Sequence, residues 1–317
     1  AGEAYGGNGR NIVAFVKGNT KERPLGFAAH MDQIEPCRNV NPVINGNIIS
    51  TDKTTTLGGD DKAGISAIME AVEDIIESGV PHRDIYLVFT CSEEISMMGT
   101  KHMDMSMLPC KELVVVDATG GAETLAYKAP AMEAIEITFK GKKAHAGIEP
   151  EKGINAIVVA SKAISKMHIG RIDYETTSNI GHIEGGSATN IVTDEVTFTA
   201  EIRSHSMEKL AAEVAHMEQC CKEAVEEMGA CYEMKHEMAY PVLSLEEDCE
   251  LIQDTVNAMA EERITANKMI IGGGSDANVL AGHGYKSVIL GCGMINVHTV
   301  EEALDTDENY LDKNRNI

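Results

Sequence analysis

Five short clusters of carboxylates and imidazoles carry whatever chemistry this sequence performs. They are His30-Met31-Asp32, the glycine-led run Leu57-Gly58-Gly59-Asp60-Asp61-Lys62-Ala63-Gly64, Cys91-Ser92-Glu93-Glu94, Asp117 ahead of Gly120-Gly121, and Val297-His298-Thr299. A His and an Asp two apart on a strand face the same side, so the Asp can accept one imidazole N–H while the other nitrogen binds a metal. Paired aspartates at a glycine-hinged helix entry can cap the helix or be aimed into a cleft. Of two glutamates past a strand end, one can bind a metal and the other face water; in a first helical turn the same pair simply suits the dipole. A His-x-Asp pair arises often by chance, and each cluster alone reads as well as capping or surface chemistry. Their convergence is more specific than any member.

The elements that must position them follow from hydrophobic period. Residues 11–16, 24–29 and 85–90 read as strands, and 113–116 as a buried strand ending in Asp117. Asn45-Gly46 marks a hairpin. From Lys62 to about Ser78, Ile65, Ile68, Met69, Val72 and Ile76 form one helical face, with Asp61 near the N-cap. Carboxylates thus stand at three strand-to-loop junctions, and in open α/β sheets those ends form the ligand crevice. The pattern then changes to strands at 134–139, 196–202 and 231–238, with helices at 153–167 and 207–228. It returns after Pro241 with a helix at 247–262, strands at 268–271 and 287–290, and a glycine-rich turn, Gly272 to Asn278, entering a helix. That turn lacks the spacing of a phosphate-binding loop. Glu301-Glu302 reads as part of a final helix.

The fold class is therefore α/β: a catalytic domain with a mostly parallel central sheet flanked by helices (1–128 and 240–317), interrupted by a smaller α+β domain (129–239). A chain of 317 residues is long enough for both. A net charge of −23 excludes a nucleic-acid partner, because nothing neutralises a row of phosphates. The eight cysteines are scattered without a Cys-x-x-Cys pair and read as reduced thiols. With no leader and no membrane-length apolar run, a cytoplasmic location and no membrane partner are expected. The glycine-rich opening and the stop soon after Glu301-Glu302 suggest a piece trimmed from a longer protein.

His30-Met-Asp32, Gly59-Asp60-Asp61-Lys62-Ala63-Gly64, Ser92-Glu93-Glu94, Asp117 and His298 together resemble the M20 family of dinuclear zinc peptidases. Ala144-His-Ala-Gly147, Gly185-Gly-Ser-Ala-Thr-Asn190 and Gly272-Gly-Gly-Ser-Asp-Ala-Asn278 match its peptidase T-like branch more closely. The resemblance covers nearly the whole chain, with the motifs in the family's order; the family's N-terminal helical segment and the end of its last helix are missing. It implies two Zn²⁺ ions per chain, replaceable by Mn²⁺ or Co²⁺. Asp60 would bridge them, His30 and Asp117 would complete one site, and Glu94 and His298 the other. Glu93 would be the general base toward a metal-activated water, and Asp32 would orient His30. The inserted domain would be a ferredoxin-like lid and dimerisation module, making the protein a homodimer. His145 would stabilise the oxyanion from the partner subunit, and Asn190, Arg203 and Ser275 would contact a short peptide substrate. The expected activity is release of N-terminal residues from tripeptides. A dipeptidase or N-acyl amino acid deacylase of the same superfamily is an alternative within enzymes. A non-catalytic binding protein is disfavoured, because all five ligands and Glu93 are present.

Overall fold

Apolar runs between glycine-bearing turns become the strands of two sheets. The computed structural model describes residues 2–307. The chain opens with β1 (Ile12–Val16), β2 (Leu25–His30) and a hairpin of β3 (Pro42–Asn45) and β4 (Ile48–Thr51). Helix α1 (Gly59–Ser78) follows, then β5 (Ile85–Thr90), short α2 (Met98–Lys101), β6 (Glu112–Thr119) and β7 (Thr124–Ala129). Next come β8 (Ala131–Lys140), α3 (Ala156–Ile164), β9 (Gly170–Arg171), β10 (Thr176–Gly185), β11 (Glu195–Ser204), α4 (Met207–Met228) and β12 (Cys231–Tyr240). The last stretch holds β13 (Leu243–Ser244), α5 (Glu250–Glu261), β14 (Asn267–Ile270), α6 (Asp276–Gly282), β15 (Lys286–Ile295) and β16 (Ala303–Asp305). Two units result: one from residues up to Ala129 together with those from Leu243, the other Pro130–Val242.

In the first unit the sheet order is β1-β5-β2-β6-β15-β16-β4-β3. Its centre, β5-β2-β6-β15, is parallel throughout. Antiparallel strands flank it on both sides. Such strands are buried on both faces, which is why their sequences run apolar without alternation. On one face Ala29, Phe89, Val114 and Val116 meet Ala63, Ile68 and Val72 of α1 and Ile252 and Met259 of α5. On the other, Val88, Leu113, Val115 and Ile289 meet Ala277 and Leu280 of α6. Each fully buried aliphatic side chain stabilises by roughly 1.5–3 kcal/mol.

Helix α1 lies against β6 at Gly64, where an added Cβ would come within 2.1 Å of the Val116 carbonyl oxygen. Gly79, at φ 64°, ends the helix by donating its N–H to the Ile75 carbonyl. The buried face is narrower than the sequence suggests, with Met69 and Ile76 at 50% and 61% exposure. Two further expectations are corrected. Strand β6 runs past Asp117 to Thr119, because its pairing with β15 continues there. Glu301-Glu302 form no helix; the following residues pair as β16 with β15 and β4, and Glu302 is buried.

The second unit is a β8-α3-β10-β11-α4-β12 array with sheet order β12-β8-β11-β10-β9, antiparallel throughout. Helices α3 and α4 pack on it, burying Phe139, Phe198, Ile137, Ile202, Leu210 and Cys221. Strand β10 escapes the hydrophobic pattern because a bulge between Ile180 and His182 breaks its alternation and most of its residues are exposed. Helix α3 begins later than its period implies. Asn155 caps it by accepting the Ile157 and Val158 N–H groups, and Pro150–Lys152 before it form a separate 3₁₀ turn.

Candidate metal centre

Parallel pairing of β2 with β5 and β6 brings His30 beside Thr90 and sets three strand ends together. The His30 side chain is 2% exposed. Its Nε2 lies 2.8 Å from Asp60 Oδ1 and 3.6 Å from Asp117 Oδ1, while Nδ1 faces Asp32 Oδ1 at 3.5 Å. His298 Nε2 approaches the same group from another side, 3.2 Å from Asp60 Oδ2 and 3.0 Å from Glu94 Oε2. Asp60 therefore offers a different oxygen to each imidazole.

Local hydrogen bonding holds these side chains in place. The Asp32 carboxylate accepts the Glu93 N–H at 3.0 Å on one oxygen and the Glu94 N–H at 3.1 Å on the other. One side chain thus faces His30 and fixes the turn bearing both glutamates. That turn is no helix start; it leaves β5 through Ser92, at φ 60°. Asp61 also belongs to a cluster that could hold an ion, with His30 and Asp117. Its oxygens are engaged, however, accepting the His30 and Gly64 N–H groups, each at 3.1 Å. Asp61 thus caps the helix through the Gly64 N–H, while the Asp60 oxygens face the two imidazoles.

The electrostatics call for cations. Burial disfavours a charge on His30, yet its contacts with Asp32 and Asp60 and the fields of Asp117 and Asp61 raise its proton affinity far above an ordinary imidazole. Bonds to Asp60 and Glu94 raise His298 to about 10. Burial acts to raise Asp60, but bonds from His298 and His30 prevail and hold it well below the usual carboxylate range. Burial raises Glu93 and Asp117, and neighbouring carboxylates raise them further, those of Asp117 and Asp276 on Glu93 and of Asp61 on Asp117. Among the described residues no lysine or arginine pairs with Asp60, Glu93, Glu94 or Asp117. The donors are imidazole nitrogen and carboxylate oxygen, a set that fits a divalent ion such as Zn²⁺, Mn²⁺ or Co²⁺. Burial pushes the nearby Cys292 thiol up.

Asp276 was not singled out by spacing. It is 2% exposed at the start of α6, and its oxygens accept the Thr90 and Thr100 hydroxyls, both at 2.5 Å. A Ser-Asp step entering a short apolar helix was the only sequence signal. Its neighbour Ser275 is the residue expected to touch substrate. It is the buried N-cap of α6, its hydroxyl accepting the Ala277 N–H while Asn278 Oδ1 accepts its own N–H.

His145, Asn190 and Arg203 lie in the second unit. His145 and Asn190 are exposed on adjoining loops tied by the Ala146 N–H to the Asn190 carbonyl at 2.9 Å. The Gly147 N–H donates to His145 Nδ1 at 3.2 Å, so the neutral ring carries its proton on Nε2 as a donor. Arg203 already grips a carboxylate, with Nε and Nη2 on Glu201 at 2.9 and 3.0 Å.

Comparison with known proteins agrees with this reading. A peptidase dimerisation domain model matches residues 132–229, and an M42 glutamyl aminopeptidase model matches 40–148. The uncharacterised protein YqjE of Bacillus subtilis is 40% identical, the match covering 94% of this chain and 80% of that one. The crystal structure of aminopeptidase PepT from Bacillus cereus superposes with a TM-score of 0.90 at 36% identity, covering 99% of this chain and 84% of that one. The chain belongs to the M20 peptidase family. A Staphylococcus aureus tripeptidase matches equally, with TM-score 0.91, 35% identity and coverage of 96% and 82%. Within M20 this chain falls in the peptidase T-like branch and is a metallo-aminopeptidase. No helix among the described residues is long and apolar enough to cross a membrane.

Proposed function

We propose that this M20 peptidase releases the N-terminal residue of short peptides, tripeptides first, using two divalent ions, Zn²⁺ or in its place Mn²⁺ or Co²⁺. The observation that carries the proposal is the Asp60 carboxylate, whose two oxygens face two different imidazoles with Asp117 and Glu94 beside them. His30, Asp60 and Asp117 would hold one ion, and Asp60, Glu94 and His298 the other. Bound ions would supply positive charge that polarises the scissile carbonyl and acidifies a water. Glu93 takes a proton from the attacking water and delivers it to the leaving amine. Asp32 keeps the His30 ring oriented and the Glu93 backbone fixed. His145 offers its Nε2–H to the developing oxyanion, from the second protomer of a homodimer formed through the inserted domain. Asn190 and Arg203 hold the peptide, the guanidinium exchanging Glu201 for a substrate carboxylate. Ser275, at the N-cap of α6, contacts the same peptide. Eight unpaired cysteines fit a cytoplasmic location.

The test is elemental analysis of the purified protein with a tripeptide assay before and after chelation and metal return, run beside dipeptides and N-acyl amino acids. Close to two ions per chain, with tripeptidase activity lost and regained, is expected. No metal after incubation with Zn²⁺ or Mn²⁺ would sink the proposal, and faster turnover of dipeptides or N-acyl amino acids would replace its substrate. For the dimer, mixing His145→Ala with Glu93→Gln should recover activity; no recovery in verified heterodimers would overturn the arrangement.

A further inference from the structure

One of the buried carboxylates that the mechanism leaves unused reaches the loop that delivers Asp60. Glu302 is 2% exposed and forms no ion pair among the described residues. Its Oε2 accepts the N–H groups of Leu57 at 2.7 Å and Gly58 at 2.9 Å, and its Oε1 accepts that of Asp60 at 2.9 Å. The partners are backbone groups of the loop that delivers Asp60, a stretch with no ladder of its own. Gly58 stands at φ 78°, and Asp60 has φ −81° and ψ 102°, outside helical values. Without Glu302, three N–H donors in a largely buried turn would lose their acceptor. Gly59 leaves room for the arrangement, since a Cβ there would already lie 3.3 Å from Glu302 Oε1.

The other end of the side chain is anchored beside the second imidazole. Glu302 follows His298 by four residues, and its own N–H donates to the Thr299 carbonyl at 3.1 Å. The Thr299 hydroxyl closes the same turn onto the Asn296 carbonyl at 2.8 Å. Glu302 then passes directly into β16, whose pairing with β15 and β4 fixes it to the sheet.

We propose that Glu302 is a positioning residue that locks the Asp60 loop to the His298 turn, so that the two oxygens of Asp60 stay aimed at separate imidazoles. A carboxyl side chain suits this work, because its two oxygens accept from three backbone N–H groups at once, whereas an amide would offer one oxygen and a competing donor. Two candidate ligand segments far apart in sequence, 57–60 and 298–302, thereby move as one body. The inference rests on the metal-binding reading of Asp60 and His298, and its experiment separates the two.

Zn²⁺ affinity is measured on metal-free wild type and Glu302→Gln by competition with a chromophoric chelator, alongside the thermal midpoint of each. The amide keeps the shape but turns an NH₂ toward donors. Groups that orient metal ligands typically alter affinity 10–100-fold, so Glu302→Gln should bind Zn²⁺ about 10–100 times more weakly while remaining folded. A residue with only a structural role would lower the thermal midpoint and leave affinity of the folded protein unchanged. That result overturns this inference alone. Wild type that binds no Zn²⁺ overturns the metal reading and this inference with it. Hydrogen exchange on metal-free wild type gives a check that needs no variant: the Leu57, Gly58 and Asp60 amides should be protected although no strand holds them. Unprotected amides at all three would overturn the clamp.

Discussion

The two units of this chain treat charge in opposite ways. In the first, Asp60, Asp61, Asp117 and Asp276 are held largely out of solvent around His30, with no lysine or arginine among the described residues to balance them. In the second, the core is apolar, built on Phe139, Phe198, Ile137 and Ile202. Its charges sit outside as pairs such as Lys209 with Asp173 and Glu175 at 2.6 and 2.7 Å. Clustered like charges destabilise a fold unless a cation joins them, whereas exposed pairs of opposite sign change stability little. The contrast teaches where to expect function: the first unit gathers carboxylates that a bound cation would offset, and the second pairs its charges at the surface.

The comparison can be broken most sharply at Glu93. Glu93→Gln should lower tripeptide turnover by about 10²–10⁴-fold, the usual contribution of a general base, with metal content near normal. Wild-type activity in that variant would remove Glu93 from the chemistry. In the second unit the matching change is Phe198→Ala, with an expected loss of about 3–5 kcal/mol in denaturant unfolding, since the ring is fully buried. Unchanged stability there would mean the second core is not what holds that unit.

Asp117→Asn should act with opposite signs in two conditions. Burial and Asp61 raise the Asp117 pKa, so at neutral pH its carboxylate opposes folding of the metal-free protein, and the amide should raise the melting temperature. With Zn²⁺ present the order should reverse. A ligand at a hundred times its Kd adds about 2.7 kcal/mol to wild type, and the variant forfeits that. The same sign in both conditions would show that the cluster is not built for a cation.

The smallest effect is expected at the surface. Bonds from Lys209 and from the Glu175 N–H lower Asp173 to about 2. A depressed carboxylate stabilises the fold above its unfolded pKa near 3.8 and loses that contribution as pH falls through about 2. Asp173→Asn should therefore melt slightly below wild type at pH 5, with the gap shrinking in salt and closing near pH 2. A gap that persists at pH 2 would show that something other than the ion pair is lost.

Much of the candidate site was legible because its candidate ligands come in short motifs near strand ends. His30 and Asp32 sit two apart, Asp60 follows two glycines, and Glu93-Glu94 end a buried strand. Less legible were residues whose roles lie in backbone contacts from distant segments. Nothing near Glu302 in sequence reveals that it accepts N–H groups from residues 57–60, and it was read as part of a helix. Asp276 looked like a turn residue until the Thr90 and Thr100 hydroxyls accounted for it. Strand β10 was hidden because its bulge and exposure remove the alternation that marks a strand.

The sequence alone determined the α/β class, the inserted α+β unit and the identity of the ionisable groups, since apolar period and residue type are local properties. Tertiary structure alone decided which oxygen of Asp60 faces which imidazole, and how Asp32 fixes the two glutamates. Those are differences of a few ångströms between segments far apart in the chain, set by the register of parallel strands and by single backbone hydrogen bonds. No spacing rule within one segment encodes them.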